Sequence, residues 1–175
     1  QYEYNFRIDT KICQDPYARG LAGREAFGRV SEDKDEHRIR CSFPNLREYN
    51  WEGDVSPGIS YQDMILYKVH VRGYTRQAKV APKKRGTFAG LKEMIPYWKE
   101  LGINAVELMP AYEFMERSTV EPGKAMIRQK HHKDKVNYWG YLPGFYFAPK
   151  SAYCATKKPH KEFCDMVRAF HEAGI

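Results

Sequence analysis

The sequence predicts an α/β fold with parallel strands, and three consecutive stretches carry that prediction. In Met64–Arg72, Ile65, Tyr67, Val69 and Val71 fall on one face while Leu66, Lys68, His70 and Arg72 fall on the other, the period-two alternation of a strand. Phe88, Leu91, Ile95, Trp98 and Leu101 then recur at helical spacing, and Gly102 stands where a left-handed residue would end the helix. Ile103–Met109 returns as a second β-rich run closed by Pro110. A strand, helix and strand in this order make a βαβ unit, whose parallel strands are joined by a right-handed crossover and need cover on both faces. An α/β sheet or barrel meets that need.

Ahead of this unit the signal is β. Tyr2, Tyr4 and Phe6 alternate with Glu3, Asn5 and Arg7, so Gln1–Cys13 reads as a strand running into a turn. A single strand cannot bury its apolar face alone, and the next strand-like run is Arg38–Phe43. Residues 1–20 are therefore expected to be the end of a β domain, with Asp15–Gly20 a turn set by Pro16. Pro44–Ser60 mixes Asn, Gly and Pro without a period and is expected to be an irregular connector that packs Trp51 against the next domain. The expected organisation is thus a β end over 1–20, a linker over 21–63 and an α/β part over 64–175.

Within the unit, Thr87 is the expected N-cap, and Pro96 requires a kink or restart because an unbroken helix interior would lose about 3 kcal/mol to it. After Phe114 comes a long excursion, Met115–Lys158, without a strong period. Loops of that length are functional or disordered. Its first half, Arg117–Lys135, is polar and basic, and mobility is expected there. Pro159 then opens a helix with Phe163, Met166, Val167 and Phe170 on one face, ended by Gly174. A helix closed by Gly and followed by Ile175 is expected to precede a third strand.

Composition narrows the class. The chain has 175 residues, 42% hydrophobic and 14% aromatic, enough to bury a core and too much for disorder. Its net charge of +7 makes a polyanion-binding domain one hypothesis. The excess sits in two loops, Arg76–Arg85 and Arg117–Lys135, rather than along one face, so no nucleic-acid partner is expected. Cys13, Cys41, Cys154 and Cys164 form no CxxC pair and no zinc-ligand spacing, which favours free thiols in a reducing, cytoplasmic compartment. No run approaches 18 apolar residues, and no membrane partner is expected.

Two residue groups stand out as candidate sites. Asn137–Pro149 gathers six aromatic residues around two prolines and two glycines. Such rings make rigid platforms that stack on sugar or base faces; the competing reading is that Trp139, Phe145 and Phe147 only anchor the loop. His70, Arg72 and Glu107, with Lys68 nearby, share the polar faces of the two strands. A buried Glu107 would need His70, Arg72 or Lys68 as a partner, and structural pairing is favoured over catalysis. Other motifs fail on detail. Gly23–Gly28 has Arg29-Val30 where a phosphate loop needs Lys and Ser or Thr, and Asp33 with Asp35 lacks the glycine and distal Glu of a calcium loop. His131-His132 lie on a polar loop, and His171-Glu172 meets Ile175 where a zinc helix needs its second His. No metal and no cofactor are expected.

Taken together, Tyr67–Thr75, Gly86–Leu91, Ile95–Gly102, Ala105–Pro110 and Asn137–Tyr141 resemble the start of the catalytic barrel of the α-amylase superfamily, in its debranching group of isoamylase, pullulanase and glycogen debranching enzyme. Asp15–Arg19 and Asn50–Asp54 are similar to that group's passage from a starch-binding-type β-sandwich into the barrel. Only Met115–Lys135 has no counterpart. The resemblance implies the first part of a (β/α)8 barrel that hydrolyses α-1,6 branch linkages in glycogen, starch or pullulan with retention. It implies that Tyr141 stacks under the sugar at the cleavage point, with Tyr138 and Trp139 supporting it, and that His70, Arg72 and Glu107 are interior support. The family's catalytic carboxylates follow its fourth, fifth and seventh strands, so none is expected within this chain, whose limits would lie inside a longer protein. An α-glucan is the expected partner; the oligomeric state is left open. A branching enzyme, a maltooligosyltrehalose hydrolase, an α-1,4 amylase and a non-catalytic glucan-binding module remain alternatives.

Overall fold

A computed structural model describes residues 2–28, 39–44, 49–116 and 136–175. The predicted mobility of the basic segment and the His131-His132 pair fall on residues outside these. The N-terminal run is divided rather than continuous, into β1 (Glu3–Tyr4), β2 (Phe6–Ile8) and β3 (Lys11–Cys13). The division has a local cause. Asp9 takes a left-handed φ of 53°, turning β2 back on β3, and Asn5 hydrogen-bonds the Ile39 carbonyl at 3.0 Å. β4 (Gly20–Ala22) and β5 (Arg40–Ser42) complete an antiparallel sheet in the order β1-β5-β4, so sheet pairing extends past residue 20. Ala18, Leu21 and Cys41 are its small core, with Phe145 packed against it.

The βαβ unit consists of β6 (Leu66–Val69), α1 (Val71–Thr75), α2 (Phe88–Lys92), α3 (Ile95–Glu100) and β7 (Ala105–Leu108). β6 and β7 pair in parallel, with Lys68 opposite Glu107 and Val69 opposite Leu108. Asn104 fixes this register by accepting from the Ile65 amide and donating to the Asp63 carbonyl, each at 2.7 Å. The first strand stops earlier than its alternation predicts. His70 caps a new helix by accepting the Gly73 amide proton on Nδ1, so Arg72 lies in α1 and not on a strand face.

The helix restarts as Pro96 requires. Thr87 accepts from the Gly90 amide at the start of α2, the chain breaks at Glu93–Met94, and Pro96 falls in the first turn of α3, where its missing N–H is no loss. Periodicity does not carry across the break, and Leu101, counted on the apolar face, is half exposed. Trp98 is fully buried, meets Tyr67, Tyr74 and Phe170, and donates from Nε1 to the Tyr74 hydroxyl at 2.8 Å. Truncating such a ring costs about 3–5 kcal/mol, against about 1 kcal/mol for a cap. Packing therefore sets the helix position and capping trims its ends.

β8 (Tyr112–Phe114) pairs antiparallel with β9 (Gly144–Pro149), so the second half of the excursion holds a strand that the sequence pattern hid among aromatics. α4 (Pro159–Glu172) turns Met166 and Phe170 into the main core, with Phe163 edge-on to Phe88. Buried Glu162 ties α4 to its neighbours by accepting amide protons from Ala89, Ala155 and Thr156. The connector grips α4 through polar groups rather than through Trp51. Arg168 donates to the Asn50 and Glu52 carbonyls at 2.8 and 3.1 Å, and His171 pairs with Asp54 at 2.9 Å, whereas Trp51 lies against Tyr49 and is 42% exposed.

Candidate functional site

The loop between Val136 and Pro143 presents the predicted aromatic residues, and its backbone is held from two sides. On one side Asn137 accepts the Gly140 amide proton at 3.1 Å, and the Tyr112 hydroxyl donates to the Gly140 and Leu142 carbonyls at 3.3 and 3.2 Å. Asn137 also donates from its backbone to the Glu116 carbonyl at 2.7 Å and from its side chain to the Met115 carbonyl at 3.3 Å. Gly140 has φ 83° and lies so close to Phe114 and Pro110 that a Cβ would stand 2.8 Å from that of Pro110. On the other side stands His70, at the end of β6.

The His70 ring stacks on Tyr138 with centroids 4.3 Å apart and planes 6° from parallel. Its Nδ1 accepts from the Gly73 amide, so Nε2 carries the proton and donates to the Tyr138 carbonyl at 2.8 Å. Burial pushes the His70 pKa below its ordinary value, and the Arg72 charge adds to this against the opposing hydrogen bonds. The imidazole is neutral. Trp139 meets His70 and Tyr138 edge-on yet stays 53% exposed, and Tyr141 is 59% exposed. Phe145 packs against the N-terminal core and Phe147, although 57% exposed, stacks on Tyr17, whereas Trp139 joins its contacts to a half-exposed face. Tyr138, stacked on His70 and edge-on to Phe27, is the ring that holds the loop.

Beside Tyr141 lies the cross-strand pair Lys68–Glu107, at 2.6 Å, with Lys68 Nζ 5.9 Å from the Tyr141 ring centroid. Hydrogen bonding to Glu107 first, and to Tyr141 second, raises the Lys68 pKa. Of the three partners predicted for Glu107, Lys68 is the one it has. Glu107 is not buried, since its side chain is 46% exposed, because the β6–β7 face that carries it is uncovered. Arg72 is remote from Glu107, with its guanidinium 4.6 Å from the Phe27 ring centroid. The structure thus forms two sets of contacts, the buried His70 with Tyr138 and Trp139, and the exposed Tyr141 with Lys68 and Glu107, while Arg72 stands over Phe27.

A second polar group escaped sequence reading. Lys150, fully buried, reaches Glu116 at 2.6 Å and Glu113 at 3.5 Å, with its Nζ 4.0 Å from the Phe114 ring centroid. Arg24 approaches Glu113 at 3.3 Å and donates to the Phe114 carbonyl at 2.7 Å. Ser151 donates its amide proton to Glu113 and its hydroxyl proton to the Leu21 carbonyl, and Gly28 donates to Glu116. Two carboxylates and two cations balance under the aromatic loop and fasten it to the N-terminal sheet. Glu113 between Tyr112 and Phe114 was the available signal, an acid within a short apolar run.

Chemically, the exposed surface combines two flat aromatic faces with a cation and a carboxylate. Such a set stacks on the apolar face of a pyranose and exchanges hydrogen bonds with its hydroxyls. Among the described residues no group of three or more His, Cys, Asp or Glu side chains is placed to hold a metal, and no helix is long and apolar enough to cross a membrane.

Solved structures that share this fold include pullulanases and a glycogen-degrading virulence factor. The chain superposes on the Group B Streptococcus pullulanase SAP with a TM-score of 0.68 at 22% identity, covering 99% of this chain and 24% of that one. It superposes on the glycogen-degrading pneumococcal virulence factor SpuA with a TM-score of 0.69 at 22% identity, covering 99% and 19%. A further SAP structure is a complex with maltotetraose. No family model matches the chain. Its curated relatives include the glycogen operon protein GlgX homolog of Haemophilus influenzae, 34% identical over 193 residues, and chloroplastic isoamylase 1 of Arabidopsis thaliana, 32% identical over 181 residues. These alignments span 99% of this chain but 28% and 22% of the relatives, so the chain corresponds to about a quarter of their length. Over nearly its whole length it is similar to part of isoamylases and GlgX homologs.

Proposed function

We propose that this chain supplies the glucan-facing start of the (β/α)8 catalytic barrel of a debranching glycoside hydrolase, which cleaves α-1,6 linkages in glycogen, starch or pullulan with retention. In this reading residues 1–20 end a β-sandwich, 21–63 link it to the barrel, and 64–175 begin the barrel. The observation that carries the reading is the exposed Tyr141 ring beside Lys68–Glu107 on a parallel strand pair, in a chain that aligns from end to end with GlgX and isoamylase relatives. A retaining mechanism needs a carboxylate nucleophile and a carboxylic acid about 5–5.5 Å apart. Those two groups are assigned to later parts of the complete protein. Within this chain Tyr141 is the sugar platform, Trp139 widens it, and Tyr138 with His70 holds it.

The test is Tyr141→Ala in the complete protein, assayed on pullulan. Loss of a stacking partner worth about 0.5–1.5 kcal/mol lowers turnover by about two- to ten-fold. An unchanged rate would show that the ring serves only as an anchor. The 175-residue chain alone is expected to release no glucan chains from pullulan. Glucan binding by the complete protein without any hydrolysis would favour a binding module instead.

A further inference from the structure

The platform loop is fastened on opposite sides by different elements, and on the β6 side a buried residue, His70, stands beside the exposed Lys68–Tyr141 contact. Asn137 and Tyr112 tie the loop to the β8 segment, through the Met115 and Glu116 carbonyls and through Gly140 and Leu142. The buried link to the end of β6, the strand that carries Lys68, is His70, which comes directly after Val69 and contacts Tyr138 through its face and through Nε2, and Trp139 through its edge. The separation between Tyr141 and Lys68–Glu107 is therefore held at two places, the exposed Lys68–Tyr141 contact and the buried junction of His70 with Tyr138, and of these only the second is sheltered from water. A helix cap alone does not require this histidine. Asn, Ser or Thr would accept the Gly73 proton as well, but none can reach the Tyr138 carbonyl and cover its ring at once.

We propose that His70 is a positioning residue for the glucan site: as a neutral Nε2–H imidazole it holds the Tyr138 carbonyl and ring, and so sets Trp139 and Tyr141 at their working distance from Lys68–Glu107. The inference rests on the glucan-platform reading above. It concerns geometry and not proton transfer, since both ring nitrogens are engaged, Nδ1 with Gly73 and Nε2 with Tyr138, with the Tyr153 hydroxyl a longer 3.4 Å neighbour.

His70→Asn separates the two duties, because it keeps a good helix cap and removes the clamp. In the complete protein, maltotetraose affinity is read by tryptophan fluorescence for wild type, His70→Asn, Tyr141→Ala and the double variant. His70→Asn is expected to weaken binding on the order of ten-fold, the scale of a displaced contact, and to add little in the Tyr141→Ala background. If Tyr141→Ala weakens binding while His70→Asn leaves it unchanged, or if the two losses simply multiply, the positioning inference is overturned and the platform stands. If Tyr141→Ala itself has no effect, the platform reading fails first. A measurement on the unaltered protein guards against a variant that does not fold. Nitrogen-15 spectra of His70 should show a proton on Nε2 and none on Nδ1, and the opposite tautomer would overturn the proposal.

Discussion

Replacing Lys150 by Met tests how the loop is fastened from below. The Lys150 ammonium is fully buried, 2.6 Å from Glu116 and 3.5 Å from Glu113, and Arg24 is the other cation of the group. Lys150→Met leaves two buried carboxylates with Arg24 in contact with Glu113 and only the longer-range charge of Arg72 acting on Glu116. Removing one partner of a buried pair costs about 3–5 kcal/mol, because the remaining charge keeps its desolvation penalty, whereas an exposed pair is worth about 0–1 kcal/mol. The half-exposed Lys84–Glu93 pair, at 2.6 Å, is the internal control: the same contact distance without the burial. Denaturant unfolding should show a loss of about 3–5 kcal/mol for Lys150→Met and under about 1 kcal/mol for Lys84→Met. Adding Glu116→Leu to Lys150→Met should recover part of the loss, since two apolar side chains carry no stranded charge. A Lys150→Met cost no larger than the Lys84→Met cost would refute the assignment of Lys150 as a neutralising cation.

The remaining expectations concern single contacts. His70 has a folded pKa below its unfolded value of about 6.5, so the unfolded chain binds more protons in the window between the two, and stability should be full above about pH 6.5 and fall as pH drops. The charged group facing it is Arg72, which deepens the effect, and burial pushes His160 in the same direction. Unfolding measured between about pH 7 and about pH 5.5 should therefore show a slope that His70→Asn reduces but does not abolish; an unaltered slope would remove His70 as its source. Gly140→Ala forces a φ of 83° on a residue with a Cβ and presses that atom toward Pro110 and Phe114, at about 1–3 kcal/mol for the backbone alone. A thermal shift indistinguishable from wild type would mean that the loop relaxes freely. Glu162→Ala strands the Ala89, Ala155 and Thr156 amides at about 1–3 kcal/mol for each one left without a partner, and Glu162→Gln should cost less because one acceptor oxygen survives. Equal losses for the two variants would count against that account.

The range of each interaction decides whether the sequence disclosed it or hid it. The Thr87 cap, the restart at Pro96, the left-handed Gly102 and the apolar face of α4 were readable because each depends on neighbours within a turn or two. The end of β6 was not. Alternation runs on through Val71 and Arg72, and nothing local shows that His70 will accept from Gly73 and begin a helix. The aromatic loop was legible by composition, but which of its rings are held and which are exposed was not, because Tyr138 and Trp139 differ only in what lies beneath them. Glu113 and Lys150 are hidden for the strongest reason: 37 positions separate them, and burial of both charges is acceptable only because each finds the other and Glu116 and Arg24 are present.

The hydrogen bond between the Asn137 amide and the Glu116 carbonyl joins the two positions that flank residues 117–135. The chain leaving β8 and the chain entering the aromatic loop are thereby held side by side. Lengthening or replacing that stretch should leave the platform where the clamp holds it. The bond thus gives the aromatic loop a fixed base at the two described positions on either side of that stretch.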